Sequence, residues 1–288
     1  GQTPAGGLGD YMISVHDHLM ADYDVNVGAA YFPYTEGWIA GRIFNSDGNV
    51  NGALNTHVST PGANVRYYDH GYGTASLYID GVHSESDGVL LVGSGYDGNY
   101  FAMAAPERDG SWTLLGAKTG QESEGGIDAS NGVEYMRTPF NYAYVPYGTP
   151  GVVAGQISGD GAIQNNGTGG FTTSVLGNGE ISLVITDKSA SDGTLLLAPM
   201  GGISNNSDNI VTYMPEGYGY TLHTRDLPNC GLQNNGAEAS WQFVWIPNDT
   251  TGIAPAAKAT FDYLGHVSGG TVVPTEYNGG NGAGDMRA

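Results

Sequence analysis

Aspartates beside glycines are the residues of this chain best suited to chemistry. Asp47, Asp80, Asp87, Asp187 and Asp192 stand in the segments NSDGNVNG, DGVHSESDG and TDKSASDG. Calcium takes roughly six to eight oxygens, some from backbone carbonyls, so these five define a candidate calcium set. The same dipeptide is first of all a turn signal, because Gly and Asp tolerate positive φ. None of the segments matches the EF-hand loop or the nonapeptide repeat. His16 and His18 lie two apart and would share one face of a strand. With Asp22 or Asp24 as a third ligand they could hold zinc, but no HExxH and no cysteine pair accompanies them, and a solvated polar strand or helix end is the simpler reading. His57, His70, His83, His223 and His266 are scattered.

Covalent catalysis finds little footing. There is no G-x-S-x-G elbow, and Gly93-Ser94-Gly95 is too short to serve as one. Cys230 is the single cysteine, so no internal disulfide forms. The 29 carboxylates could include a glycosidase-type pair, but nothing selects it. Aromatic residues carry more. Tyr67, Tyr68 and Tyr72 in YYDHGY are read as loop aromatics suited to sugars or protein contacts. Trp241 and Trp245 alternate onto one face, which serves either as core or as contact. Sequons at Asn166, Asn205 and Asn248 are candidate glycosylation positions.

The elements carrying these residues are strands. Short β-branched or aromatic runs such as ASLYID, ISLVITD and WQFVWIP are punctuated by repeated Asp-Gly and Asn-Gly dipeptides, among them Asp80-Gly81, Asp87-Gly88, Asn178-Gly179 and Asp192-Gly193, the signature of hairpins. One helix is expected near Ile13–Tyr23. Gly accounts for 48 of 288 residues, without the G-X-Y period of collagen. A hydrophobic share of 40% is too high for a disordered chain, and no apolar run is long enough for a membrane helix. The net charge of −20 argues against nucleic acid as a partner.

Self-similarity sets the organisation. AYFPYTEGWIAGRIFNSDGNV (30–50) returns as AYVPYGTPGVVAGQISGDGAI (143–163), and SLYID, SDG, Pro-Glu and WTL recur later in the same order. FVWIPNDTTGIAPA (243–256) begins what reads as a third, partial copy. The expected fold is all-β: two tandem, duplicated antiparallel β-sandwich or jelly-roll-like domains, a partial third repeat and Gly/Asn-rich termini. The boundaries are 1–134 (repeat 1 from about 25) and 135–288, with repeat 2 to about 239 and partial repeat 3 and tail over 240–288.

Sparse lysine, abundant Asn, Thr and Tyr, and a GQTPAGG start suited to signal cleavage favour the outside of a cell, with a bacterial source expected. With no catalytic signature, the favoured function is a non-enzymatic structural subunit of an extracellular or cell-surface filament, pilus-like fibre or surface layer. Copies would join head to tail through terminal strands and aromatic contacts. The alternative is a secreted carbohydrate-binding or carbohydrate-acting β protein, stabilised by calcium. A viral or phage jelly roll is a third option.

Overall fold

Alternating polarity and frequent turn glycines leave the backbone one outlet for its hydrogen bonds, the ladder between neighbouring strands. The computed structural model describes residues 10–14, 26–32, 39–43, 56–59, 63–71, 73–94, 100–119, 133–135, 138–177, 179–201, 209–226, 231–232, 240–248, 254–261, 267–268, 273–275 and 283–287. Among these, every regular element is a strand, and no helix is long and apolar enough to cross a membrane. The helix expected near Ile13–Tyr23 is not seen where it can be checked: Ile13 and Ser14 end a strand, and the remainder lies outside the described residues.

The chain opens with β1 (Asp10–Ser14) and β2 (Asn26–Tyr31). Nine strands follow: β3 (Ile39–Ile43), β4 (Thr56–Ser59), β5 (Val65–Gly71), β6 (Thr74–Ile79), β7 (Gly88–Ser94), β8 (Tyr100–Pro106), β9 (Trp112–Thr119), β10 (Val133–Tyr135) and β11 (Phe140–Pro146). Nine more follow these: β12 (Val153–Ile157), β13 (Ile163–Asn165), β14 (Phe171–Gly177), β15 (Glu180–Ile185), β16 (Gly193–Met200), β17 (Asn209–Glu216), β18 (Gly219–Asp226), β19 (Gly231–Leu232) and β20 (Ser240–Pro247). The chain closes with β21 (Ala254–Phe261), β22 (Val267–Ser268), β23 (Val273–Thr275) and β24 (Ala283–Arg287). All pairings are antiparallel.

Four larger sheets build the body. The first runs β4-β3-β11-β7 and faces a second, β5-β6-β9-β8, in which β10 continues the β6 edge of β9. The third runs β13-β12-β20-β16 and faces a fourth, β14-β15-β18-β17, with β19 on β18. Position for position, the two sets of nine strands have the same order. Alternation does the burying, as in β15, where Ile181, Leu183 and Ile185 point inward.

Each sheet pair closes on one core. The first contains Leu77, Leu90, Trp112, Leu114, Phe140 and Tyr144, and the second Ile157, Leu183, Leu195, Tyr220, Trp241 and Trp245. Each such side chain is worth about 1.5–3 kcal/mol over exposure. At one site the cores exchange partners. Trp112 on β9 meets Tyr144 on β11 edge to face at 5.7 Å. On the corresponding strands, Tyr220 accepts a 3.0 Å hydrogen bond from Trp245 Nε1. Glycine makes room in both. A Cβ at Gly88 would lie 2.4 Å from Val145 O and 2.6 Å from Tyr144 Cε2, and one at Gly193 would lie 2.5 Å from Ile246 O and 2.4 Å from Trp245 Cε2.

A third core joins the pairs. Val89 and Val145 of the first sheet meet Ala154, Val244 and Ile246 of the third and Val152 just before β12, with Phe32, Leu91, Tyr147 and Leu196 packed around them. Gln242, fully buried on β20, enters this seam. Its Oε1 accepts from Leu90 N at 3.3 Å, and its Nε2 donates to Leu90 O at 2.7 Å and Ala104 O at 3.1 Å. The carboxamide serves Leu90 as a neighbouring strand would. Asn165 Nδ2, donating to Glu85 O, is a second tie across the seam.

Glu134, the boundary expected from sequence, lies inside β10 in register with Lys118, and β11 after it pairs with β3 and β7. Trp241–Pro247, read in sequence near the start of a partial third repeat, lies in β20 between β12 and β16. Pro146 and Pro247 do stand at strand ends, where a missing N–H costs no ladder bond.

Candidate functional site

The strands from the two chain ends meet. β2 pairs with β21, which also carries β22, and β1 pairs with β24, which also carries β23. The resulting three-stranded sheets have the orders β2-β21-β22 and β1-β24-β23. The β2–β21 ladder opens on a pairing found twice in the body, and a β-bulge between Ala29 and Tyr31 then shifts its register by one residue. The aromatic residue two places before a proline faces the first residue of the partner strand: Tyr144 faces Ile39, Trp245 faces Val153, and Tyr31 faces Ala254. Chemically this seam offers backbone pairing, the chemistry of strand addition.

The predicted aromatic contacts divide. Tyr67, Trp241 and Trp245 are core residues, 5%, 1% and 0% exposed, so their rings present no open face. Tyr67 and Tyr68 lie on β5 rather than in a loop, and Tyr72 is outside the described residues. Tyr68 alone is exposed, at 43%. Its ring meets Tyr78 edge to face at 5.7 Å, and the Arg66 guanidinium lies 5.3 Å over the Tyr78 ring. Asp80 pairs with Arg66 at 3.1 Å, and the Tyr78 hydroxyl donates to Asp109 at 2.9 Å. The hydrogen bond to Asp109 raises the Tyr78 pKa, while bonds from Ser111 and Tyr78 hold the Asp109 carboxyl below the usual carboxylate range.

The aspartates are tied into their own turns. Asp87 accepts from His83 N at 2.7 Å and from Ser86 Oγ at 2.7 Å, and these bonds lower its pKa. Asp192 accepts from Ser189 N at 2.7 Å. Asp80 accepts from Asn64 besides its ion pair, and Asp187 takes a positive φ of 57° in an exposed turn. Asp47 lies outside the described residues. Among the described residues no three metal-ligating side chains gather. The turns also latch the sheets: Tyr147 N donates to Asp87 O at 2.9 Å, and Asn248 N donates to Asp192 O at 3.0 Å. Asn166 and Asn248 are exposed, although Asn248 Nδ2 already donates to Ser191 O. Asn205, His16 and His18 lie outside the described residues.

Sequence reasoning missed Gln242 and the Arg66–Tyr78–Asp109 cluster. The signal for the first was one amide inside the apolar run SWQFVWIP. The second had no linear signal, because its members are brought together by the β5–β6 pairing and the turn before β9. Compared with known proteins, the chain matches no family model, no curated protein and no solved structure.

Proposed function

We propose that the chain is a non-enzymatic structural subunit of an extracellular or cell-surface assembly, most simply a bacterial filament or fibre, joined head to tail with copies of itself. The observation that carries this reading is the antiparallel pairing of β2 with β21, strands from opposite chain ends, in which Tyr31 meets Ala254 as Tyr144 meets Ile39 and Trp245 meets Val153 before a β-bulge shifts the remaining register by one residue. Strands from opposite chain ends that fit each other so well can also be supplied by different copies. A contact of that kind which does not close becomes a fibre. Two further features support it. The large aromatics are spent on cores rather than on a cleft, and the aspartates stabilise turns. The two sandwiches are in this reading tandem copies of one jelly-roll-like ancestor, supported by their common strand order and by equivalent glycines under equivalent aromatics. Electron microscopy and sedimentation across a concentration series test the proposal: fibres or a growing mass are expected, and a monomer at every concentration refutes it.

One observation favours a second reading, secreted carbohydrate binding. Exposed Tyr68 and half-buried Tyr78, with Arg66, Asp80 and Asp109, combine aromatic rings with charged hydrogen-bonding groups. It has no copy in the second unit, where β14 and β15 carry Thr172, Ser174 and Val184 instead. A glycan array, read with and without calcium, separates the readings, and loss of a glycan signal in Tyr68→Ala would assign it to this patch.

A further inference from the structure

We propose that the two terminal sheets are a third sandwich of the same design, split between the chain ends, and that copies of the chain join by exchanging its halves. This rests on the self-association proposed above and specifies its donor and acceptor. The order β22-β21-β2 repeats β4-β3-β11 and β13-β12-β20, and the order β23-β24-β1 repeats β5-β6-β9 and β14-β15-β18. The C-terminal strands β21 to β24 therefore stand for the first four strands of a unit, and β1 and β2 for two of its last. The stacking repeats as well. β2 and β21 lie against β16 as β20 and β12 lie against β7. Phe32, just after β2, joins the shared core alongside Val145 and Ile246, the residues just before Pro146 and Pro247, as Phe32 is before Pro33.

Among the described residues no strand fills the places of β7 and β8 in this unit, and β2 and β1 end their sheets. The halves are held by two ladders of five registered pairs each and by no direct peptide link. A unit short of strands is marginal, and pairing across copies makes the same contacts as pairing within one. Each chain has one donor, strands β1 and β2, and one acceptor, strands β21 to β24. The contact is therefore heterologous and propagates. The connections support such a step. Six residues separate β11 from β12, six separate β20 from β21 and seven separate β2 from β3, so one kind of junction recurs from unit to unit and from copy to copy.

The test is a cysteine pair across the split. Val27→Cys with Ala259→Cys joins residues in register on β2 and β21, at the Cα spacing of antiparallel neighbours that a disulfide spans. The pair is placed in the full chain with Cys230→Ser, assembled at high concentration, oxidised and run on a denaturing gel. A ladder in steps of 29.9 kDa, collapsing on reduction, is expected. Fibres whose disulfides are all internal overturn the exchange while leaving self-association standing. Absence of both fibres and ladder overturns both. Met12→Cys with Asp285→Cys, on the β1–β24 ladder, repeats the reading should the first variant fail to fold.

Discussion

Replacing Gln242 with leucine should cost about 3 kcal/mol, worked from three buried backbone groups at about 1–3 kcal/mol each. The side chain is fully buried and supplies one acceptor and two donors to Leu90 and Ala104, themselves fully buried. Leucine removes all three bonds. The 3.3 Å contact from Leu90 N is long and counts at the low end, and leucine regains about 1 kcal/mol through its apolar surface. Urea unfolding followed by tryptophan fluorescence measures the loss, because Trp112, Trp241 and Trp245 all lie in the cores. Gln242→Glu sharpens the test. A carboxylate there would face the carbonyls of Leu90 and Ala104 with no proton to offer, so this variant should be weaker at neutral pH than the leucine one. Burial raises its folded pKa, so its stability is retained at acid pH, where the carboxyl can donate, and is lost as pH rises through that pKa. A Gln242→Leu protein within about 0.5 kcal/mol of the parent, the range of an ordinary surface change, would refute the bridging role.

Three further outcomes follow from the cores. Gly193→Ala and Gly88→Ala should each cost about 1–3 kcal/mol by overpacking, because the new methyl meets a backbone carbonyl and an aromatic ring; chemical denaturation reads both, and parent-like midpoints would disprove the close approach. Tyr220→Trp and Trp245→Tyr should each destabilise, yet together recreate the arrangement of Trp112 and Tyr144, with a coupling of about 0.5–3 kcal/mol in a double-mutant cycle. Burial pushes Tyr220 and Tyr147 up to about 12. These hydroxyls stay protonated in the fold while those of the unfolded chain ionise, so their stabilisation is complete below pH 10 and lost as pH rises toward 12; spectroscopic tyrosinate titration alongside far-ultraviolet circular dichroism should show cooperative unfolding in that window.

Much of the body was legible because strand and turn signals are local. Alternation in SLYID and ISLVITD, Asp-Gly punctuation and proline at strand ends all act over a few residues, and β6, β15, β11 and β20 lie where those signals point. What failed depended on partners distant in sequence. YYDHGY resembles a loop because its polar residues interrupt the pattern, yet pairing with β6 draws Tyr67 through Gly71 into β5. WQFVWIP reads in sequence like the start of a copy, and its place between β12 and β16 depends on partners nearly ninety and nearly fifty residues earlier in the chain. Tryptophan suggested a contact surface at Trp241 and Trp245, but β20 is an inner strand whose inward face meets the fourth sheet. The aspartates signalled turns first and calcium second in sequence, and the hydrogen bonds that occupy Asp87 and Asp192 appear only once the loops close.

The two terminal sheets carry a practical consequence. The body twice places consecutive strands, β7 with β8 and β16 with β17, one in each of two facing sheets, beside a β9-type and a β11-type strand, and no described strand takes those places beside β1 and β2. If the terminal sheets form the split third unit proposed above, a free peptide copied from 88–106 should take those places, rivalling any neighbour that reached for the same ground. The molecule thus encodes in its own body the template for a stopper of its growth.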